Sequence, residues 1–302
     1  MPLFLKRLLL KLYEKLRVSI NRFSYSIYKH QRTFDVMTAE ETVMKIVGNR
    51  ELSVARFGDG EYHVIEGGST GFQQRDLRLG KKLREVLNSC DNKCLVCIPR
   101  PFVCTSHLAP KSKKFWTNYL GMKRKLVLRL TPPNSCFGDA CFSRFYFENK
   151  PYNIEDFIHL IKKIWDKRSV FVVEGTNTKF GVGNDLLDNA KEVKRILCPT
   201  QNAYDKYDAI YNSVLNNVPE GSLILIALGM TATVLAYDLS QANRRYQAID
   251  IGHLDIEYEC YLRNSNGIIA IPGKAVNEVG NNNPEEELTD FAYKSSIIAK
   301  II

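Results

Sequence analysis

The residues Arg56-Phe57-Gly58-Asp59-Gly60-Glu61 put two carboxylates one glycine apart, directly behind an apolar run that reads as a strand. Carboxylates at that spacing, on a turn leaving a strand, can converge on one hard cation such as Mn²⁺ or Mg²⁺. The glycines permit a tight backbone and leave room beside it. A cation held by only two carboxylates keeps waters and takes its remaining oxygens from a ligand such as a diphosphate, to which Arg56 can add a charged fork. The same six residues also suit a plain β-turn carrying two solvated acids.

Other candidates recur at the ends of apolar runs. Lys179 to Asn184 holds Gly181 and Gly183 and reads as the entry to a helix near Asn184, whose free N–H groups and dipole favour a phosphate. Asn184 also suits a simple N-cap. Gly229-Met230-Thr231 is a second strand-to-helix turn that can cap a phosphate through Thr231, or cap the helix alone. Asp250, His253 and Asp255 follow the last strand. An imidazole beside a carboxylate can take a proton from an acceptor hydroxyl, serve as a metal ligand, or be a hydrogen-bonded core group. Arg144 in Phe142-Ser-Arg-Phe-Tyr146 can neutralise a departing nucleoside diphosphate, or be an ordinary surface arginine.

Four segments together resemble the bacterial GT-D-type glycosyltransferases: Arg56 to Glu61, Gly181-Val-Gly-Asn-Asp-Leu-Leu187, Ala227-Leu-Gly-Met-Thr-Ala-Thr-Val-Leu-Ala-Tyr-Asp-Leu239 and Ala248-Ile-Asp-Ile-Gly-His-Leu-Asp-Ile-Glu-Tyr258. They occur in order across most of the chain. The resemblance implies a Rossmann-like single domain in which Asp59 and Glu61 bind a divalent cation and the donor diphosphate. It further implies a nucleoside-diphosphate sugar as donor, a UDP-sugar first among them. The expected acceptor is a glycan or lipid-linked glycan, as in surface-polysaccharide or glycoprotein glycan synthesis. On this reading Arg56, Arg144, Lys179, Gly181, Gly183, Asn184 and Thr231 contact the donor. His253 or Asp255, next to Asp250, deprotonates the acceptor if the reaction inverts; a retaining route needs no base. Met230 stands where proline is expected and Cys260 where an aromatic is usual, departures that bear on loop shape and acceptor choice.

The elements that must hold these residues alternate strand and helix. Strands are expected at Leu52 to Phe57, Cys94 to Ile98, Lys125 to Leu130, Ser169 to Glu174, Val193 to Cys198, Ser222 to Leu228 and Tyr246 to Ile251. Helices are expected at Asp76 to Asn88, from Asn184, at Tyr204 to Asn216 and from Thr231 to Ala242. The continuous apolar strands are those of a parallel sheet buried on both faces, an α/β architecture whose ligands bind beyond the strands' carboxyl ends. Two alternatives stay open from the residues alone. One is an S-adenosylmethionine-dependent methyltransferase, although Gly58-Asp59-Gly60 after the first strand places an acid between the glycines such an enzyme would use. The other is a membrane-associated nucleotide-binding protein without turnover.

Residues 1 to 31 form a separate unit ahead of a single domain over 32 to 302. Residues 1 to 30 carry seven Lys and Arg against one Glu, 7 − 1 = +6 of the chain's net +9. The remaining body is near neutral, which argues against nucleic acid as a partner. On a helix, Leu5, Leu9, Leu12 and Leu16 fall on one side and Arg7, Lys11, Glu14 and Lys15 on the other. Such a helix suits an anionic membrane surface, or packs its apolar stripe on the domain or a second subunit. The expected location is the cytoplasm, with peripheral attachment to the inner face of the plasma membrane. The eight cysteines, including the lone Cys94-Leu-Val-Cys97, read as reduced core residues rather than zinc ligands. A chain that is 45% apolar has ample surface to bury, which excludes disorder as its main state.

Overall fold

The computed structural model describes residues 3–28, 30–89, 91–148, 153–280 and 291–301. In chain order the first half holds α1 (Leu3–Tyr28), β1 (Asp35–Val36), α2 (Ala39–Gly48), β2 (Ser53–Arg56), α3 (Asp59–Ile65), α4 (Leu77–Leu87), β3 (Cys94–Ile98), α5 (Pro110–Leu130), β4 (Cys136–Asp139) and α6 (Ile154–Lys162). The second half holds β5 (Ser169–Gly175), β6 (Glu192–Cys198), α7 (Tyr207–Asn217), β7 (Leu223–Ala227), α8 (Met230–Gln241), β8 (Gln247–Asp250), α9 (Leu254–Leu262), α10 (Phe291–Ser296) and β9 (Ile297–Lys300). The strands form one sheet in the order β1-β4-β3-β2-β8-β7-β5-β6-β9, every pair parallel. This is the α/β architecture that the apolar runs imply.

Period-two alternation buries both faces. Val54, Leu95, Cys97, Val172, Leu225 and Ile249 point to one face, under α2, α6 and α9. Ala55 and Val96 point to the other, under α4, α5 and α8, and Val173, Ile226 and Ala248 continue that layer under α7 and α8. The helices start where the chain supplies caps. Thr38 and Glu41 form a reciprocal capping box on α2, and the Asp76 carboxylate accepts from the Arg78 and Leu79 N–H groups to open α4.

Three expectations are corrected. Lys125 to Leu130 is the last turn and a half of α5, not a strand. Its Leu, Lys and Arg are strong helix formers, and buried Leu126, Val127 and Leu130 continue the apolar face begun by Trp116 and Leu120. No helix begins near Asn184; residues 176–191 are a succession of turns. Lys179, Gly181 and Gly183 all take positive φ there, and the Asn184 side-chain carbonyl accepts the Leu186 N–H. The cysteines are not all core: Cys136 is exposed and Cys104 half-buried, and Cys90 lies outside the described residues. Cys94 and Cys97 do sit on opposite faces of β3.

Gly229 joins β7 to α8 at φ 54°, ψ −138°, a conformation open essentially to glycine. A Cβ there would also lie 2.4 Å from the Phe72 ring. Gly229→Ala is therefore expected to lower unfolding stability by about 1–3 kcal/mol, read from the midpoint of a urea titration. An unchanged midpoint would show that the turn relaxes freely.

Candidate active site

The strand ends after β2, β4, β7 and β8 surround a cavity of about 1110 Å³. Its wall includes Arg56, Asp59, Glu61, Arg144, Gly229, Met230, Asp250 and His253. Asp59 and Glu61 are the first and third residues of α3, so the acids occupy the opening turn of a helix rather than an isolated β-turn. Negative side chains suit that end of a helix dipole. The exposed Asp59 faces solvent, while the Glu61 Oε2 folds back to accept the Gly58 N–H at 2.6 Å. Burial pushes the Glu61 carboxyl up to about 7; the Gly58 N–H opposes this and the nearby Asp250 charge adds to it.

Arg56 is braced from three sides. Its Nε donates to the Ala140 carbonyl at 3.0 Å, its Nη1 to Asp250 at 3.2 Å, and its guanidinium lies over the Phe142 ring at 5.7 Å. Asp250 is itself held by the Gly252 N–H and the Thr233 hydroxyl. Its carboxyl is raised by burial and pulled back by Arg56. Asp250 therefore fixes Arg56 at the cavity wall. Gly252 makes the approach possible, since a Cβ there would fall 1.9 Å from the Arg56 Nη1.

His253 is clamped at both nitrogens. Arg144 Nη2 lies 3.2 Å from Nδ1, and Glu278 Oε1 lies 2.7 Å from Nε2. A guanidinium only donates, so Nδ1 accepts and the ring proton sits on Nε2, donated to Glu278. Burial and the Arg144 charge keep the His253 pKa below its ordinary value, so the ring is neutral near pH 7. Burial pushes Glu278 up, but the hydrogen bond from His253 and the Arg144 charge outweigh it and hold that carboxyl far below its usual range. Glu257 fixes the other end of this cluster. Its Oε2 accepts the Tyr146 and Phe147 N–H groups, and its Oε1 lies 4.0 Å from Arg144.

The remaining expected site residues lie elsewhere. Asp255 is buried and does not line the cavity; it accepts the Gly181 N–H at 3.0 Å, the Asn184 amide at 2.8 Å and the Lys274 ammonium at 2.7 Å. With its oxygens so engaged it pins the 179–184 loop and cannot receive an acceptor proton. Lys179, Gly181, Gly183 and Asn184 are likewise absent from the cavity wall, and the Asn184 amide also bonds Glu259. Thr231 is fully buried on the second residue of α8, with Gly229 and Met230 facing the cavity instead.

Sequence reasoning missed Glu278, Glu148, Lys111, Phe115 and Trp116, all on the wall. Glu148 accepts from the Trp116 indole at 2.9 Å and from Ser112, closing the far end around half-exposed Phe115. None follows a strand in a recognisable motif, so no local signal marked them. Among the described residues, five carboxylates line the cavity (Asp59, Glu61, Glu148, Asp250, Glu278) against three cations (Arg56, Lys111, Arg144), 3 − 5 = −2 when Glu61 is ionised. Among the described residues no three His, Cys, Asp or Glu side chains cluster to hold a metal. A cation at Asp59 and Glu61 would complete its shell with waters and ligand oxygens, and the surplus negative charge fits one.

Residues 54–279 match the family described as Glycosyltransferase GT-D fold. The chain belongs to this family. Among solved structures, a domain described as having a distinct glycosyltransferase fold aligns with a TM-score of 0.83 at 31% identity, over 94% of this chain and 99% of its own. A glycosyltransferase from Streptococcus sanguinis gives 0.83 at 32% identity, over 89% of this chain and 100% of its own. A probable glycosyl transferase, Gly, of Streptococcus gordonii is 33% identical over 274 residues, 90% of this chain and 39% of that protein. GlyD of Streptococcus pneumoniae is 33% identical over 270 residues, 87% of this chain and 32% of that protein. The chain thus spans less than half the length of these curated relatives. GT-D membership sets the methyltransferase alternative aside.

The buried Lys274, lying 2.7 Å from Asp255 and 3.0 Å from Glu259, separates the structural carboxylates from the cavity's own. Lys274→Met leaves two buried acids facing each other and is expected to cost about 3–5 kcal/mol in a urea titration. Adding Asp255→Asn and Glu259→Gln should recover part of that loss. A single variant as stable as wild type would show that the pair is not holding the loop.

Proposed function

We propose that this GT-D protein transfers a sugar from a nucleoside-diphosphate donor, a UDP-sugar foremost, to a hydroxyl of a glycan or lipid-linked glycan. The carboxylate surplus at the strand ends carries the reading, because a diphosphate entering that cavity would be repelled unless a cation came with it. Asp59 and Glu61 would hold Mn²⁺ or Mg²⁺. Such an ion offsets charge developing on the leaving diphosphate.

The chain's own groups do the rest. The N-terminal turn of α8 presents backbone N–H groups beside Gly229. Arg144, oriented by His253, Glu278 and Glu257, supplies a fixed positive charge toward the cavity. His253 is read as the positioning residue for Arg144, since both of its nitrogens are engaged. At about 1110 Å³ the cavity exceeds an ordinary one-ligand site, and its far end is aromatic. The ring of Phe115, backed by Trp116, offers an apolar platform for the acceptor sugar. Assembly of surface polysaccharide or of a glycoprotein glycan is the process this chemistry serves.

Two outcomes test the reading. Asp59→Asn should keep the wild-type melting temperature, because the side chain is exposed, while Mn²⁺-dependent release of nucleoside diphosphate from the donor falls at least about 10²-fold. Retained turnover would remove Asp59 from the mechanism. Protonated Glu61 cannot ligate a cation, so its raised pKa makes metal binding weaken as the pH falls through about 7. The apparent Mn²⁺ affinity, measured with donor present, should drop about tenfold between roughly pH 8 and pH 6, and Glu61→Gln should flatten the profile. A wild-type affinity indifferent to pH would contradict the assignment.

A further inference from the structure

The stripe Leu5, Leu9, Leu12, Leu16, Ile20, Phe23 and Ile27 runs the length of α1, and every member is 43–69% exposed. The opposite side of the helix meets the protein. There Asn21 is buried with its amide on Asn118 at 2.8 Å, and the Tyr25 hydroxyl lies 2.8 Å from that of Thr105. The two backbones approach so closely that a Cβ on Gly121 of α5 would lie 2.1 Å from the Asn21 carbonyl. The side that Arg7, Lys11 and Glu14 begin is thus continued by the residues that dock on α5. Packing of the apolar stripe on the domain is thereby overturned.

The chemistry of the stripe's edges identifies its partner. At 100° per residue, exposed Lys6 and Arg17 border it on one side and exposed Lys15 and Arg22 on the other, with Glu14 the only acid over residues 3–28. An apolar band between two rows of cations matches an anionic bilayer surface, with side chains among the acyl chains and ammonium and guanidinium groups at the phosphates. The repeat is (27 − 5)/6 ≈ 3.67 residues, close to a straight helix and away from the 3.5 of a left-handed coiled coil. A heptad set on Leu9, Leu16 and Phe23 would also place Ser19 and Ser26 in its seam. No helix among the described residues is long and apolar enough to cross a membrane.

We propose that α1 is an interfacial anchor that lays this stripe into an anionic phospholipid surface and holds the catalytic body there through its contact with α5. A lipid-linked acceptor would then be presented in the plane where the enzyme sits, a consequence that rests on the glycosyl-transfer reading; the anchor itself does not. The test is flotation of the full chain with vesicles of phosphatidylcholine containing phosphatidylglycerol, against vesicles of phosphatidylcholine alone. Wild type is expected to float with the anionic vesicles at least tenfold more than with the neutral ones. Leu9→Glu with Leu16→Glu, on the exposed face, should abolish flotation without changing the melting temperature. Asp59→Asn should float like wild type, so failure of the catalytic reading leaves this outcome unaffected. Equal flotation of the double variant, or a wild type that ignores anionic vesicles and sediments as a dimer dissociated by the same double substitution, would overturn the proposal.

Discussion

Negative charge gathered in one cavity at the ends of the parallel strands is the constraint around which this molecule is arranged. Carboxylates from α3, from the end of β8 and from the loop carrying Glu278 share one space, and only part of their charge is answered by arginine and lysine. Such an arrangement is costly: burial first, and the neighbouring Asp250 charge after it, raise the Glu61 carboxyl above its ordinary range. On the proposed reading, a divalent cation accompanied by a diphosphate would relieve it. The charge imbalance thus gives a physical reason for two acids to stand one residue apart on a helix's first turn, where a single N-terminal acid would satisfy the dipole.

Around that imbalance the scaffold fixes its cations from behind. Arg56 is tied to the Ala140 carbonyl and to Asp250, and Asp250 to Thr233 and Gly252, so β2, β8 and α8 set one guanidinium together. Arg144 is set by a second group in which His253 and Glu257, at the start of α9, and Glu278 approach from two segments. Each arginine reaches the cavity with its orientation already determined, which lowers the reorganisation needed when charge develops there. The separate buried network of Lys274, Asp255, Glu259 and Asn184 serves the frame, holding the 179–184 loop against α9.

What was legible in the sequence follows from how local each signal is. The long apolar strands and the Arg56-to-Glu61 segment are contiguous, so six strands of the parallel sheet (β2, β3 and β5 to β8) and the cavity's acidic pole could be read directly. Lys125 to Leu130 misled because six alternating residues fit a strand as well as one face of a helix whose start lies at Pro110. Asp255 looked catalytic through its nearness to His253, yet on the first turn of α9 its side chain points to Lys274 rather than to the cavity. Glu278 and Glu148 reach the site from loops far apart in sequence, and Glu278 meets Arg144 across more than a hundred residues. Only tertiary structure joins them. Helix α1 was visible as an amphipathic pattern, but which side faced the protein depended on Asn21 and Gly121, a contact no periodicity reveals.

Isothermal titration calorimetry of the wild-type chain with UDP-sugars, in Mn²⁺ and again in excess chelator, tests the central claim most directly. The account predicts that at least one nucleotide sugar binds in Mn²⁺ and that its heat of binding disappears when the metal is removed. Equal affinity in the two conditions would mean that the acidic pole of the cavity does not meet the diphosphate through a cation, and the account would fail.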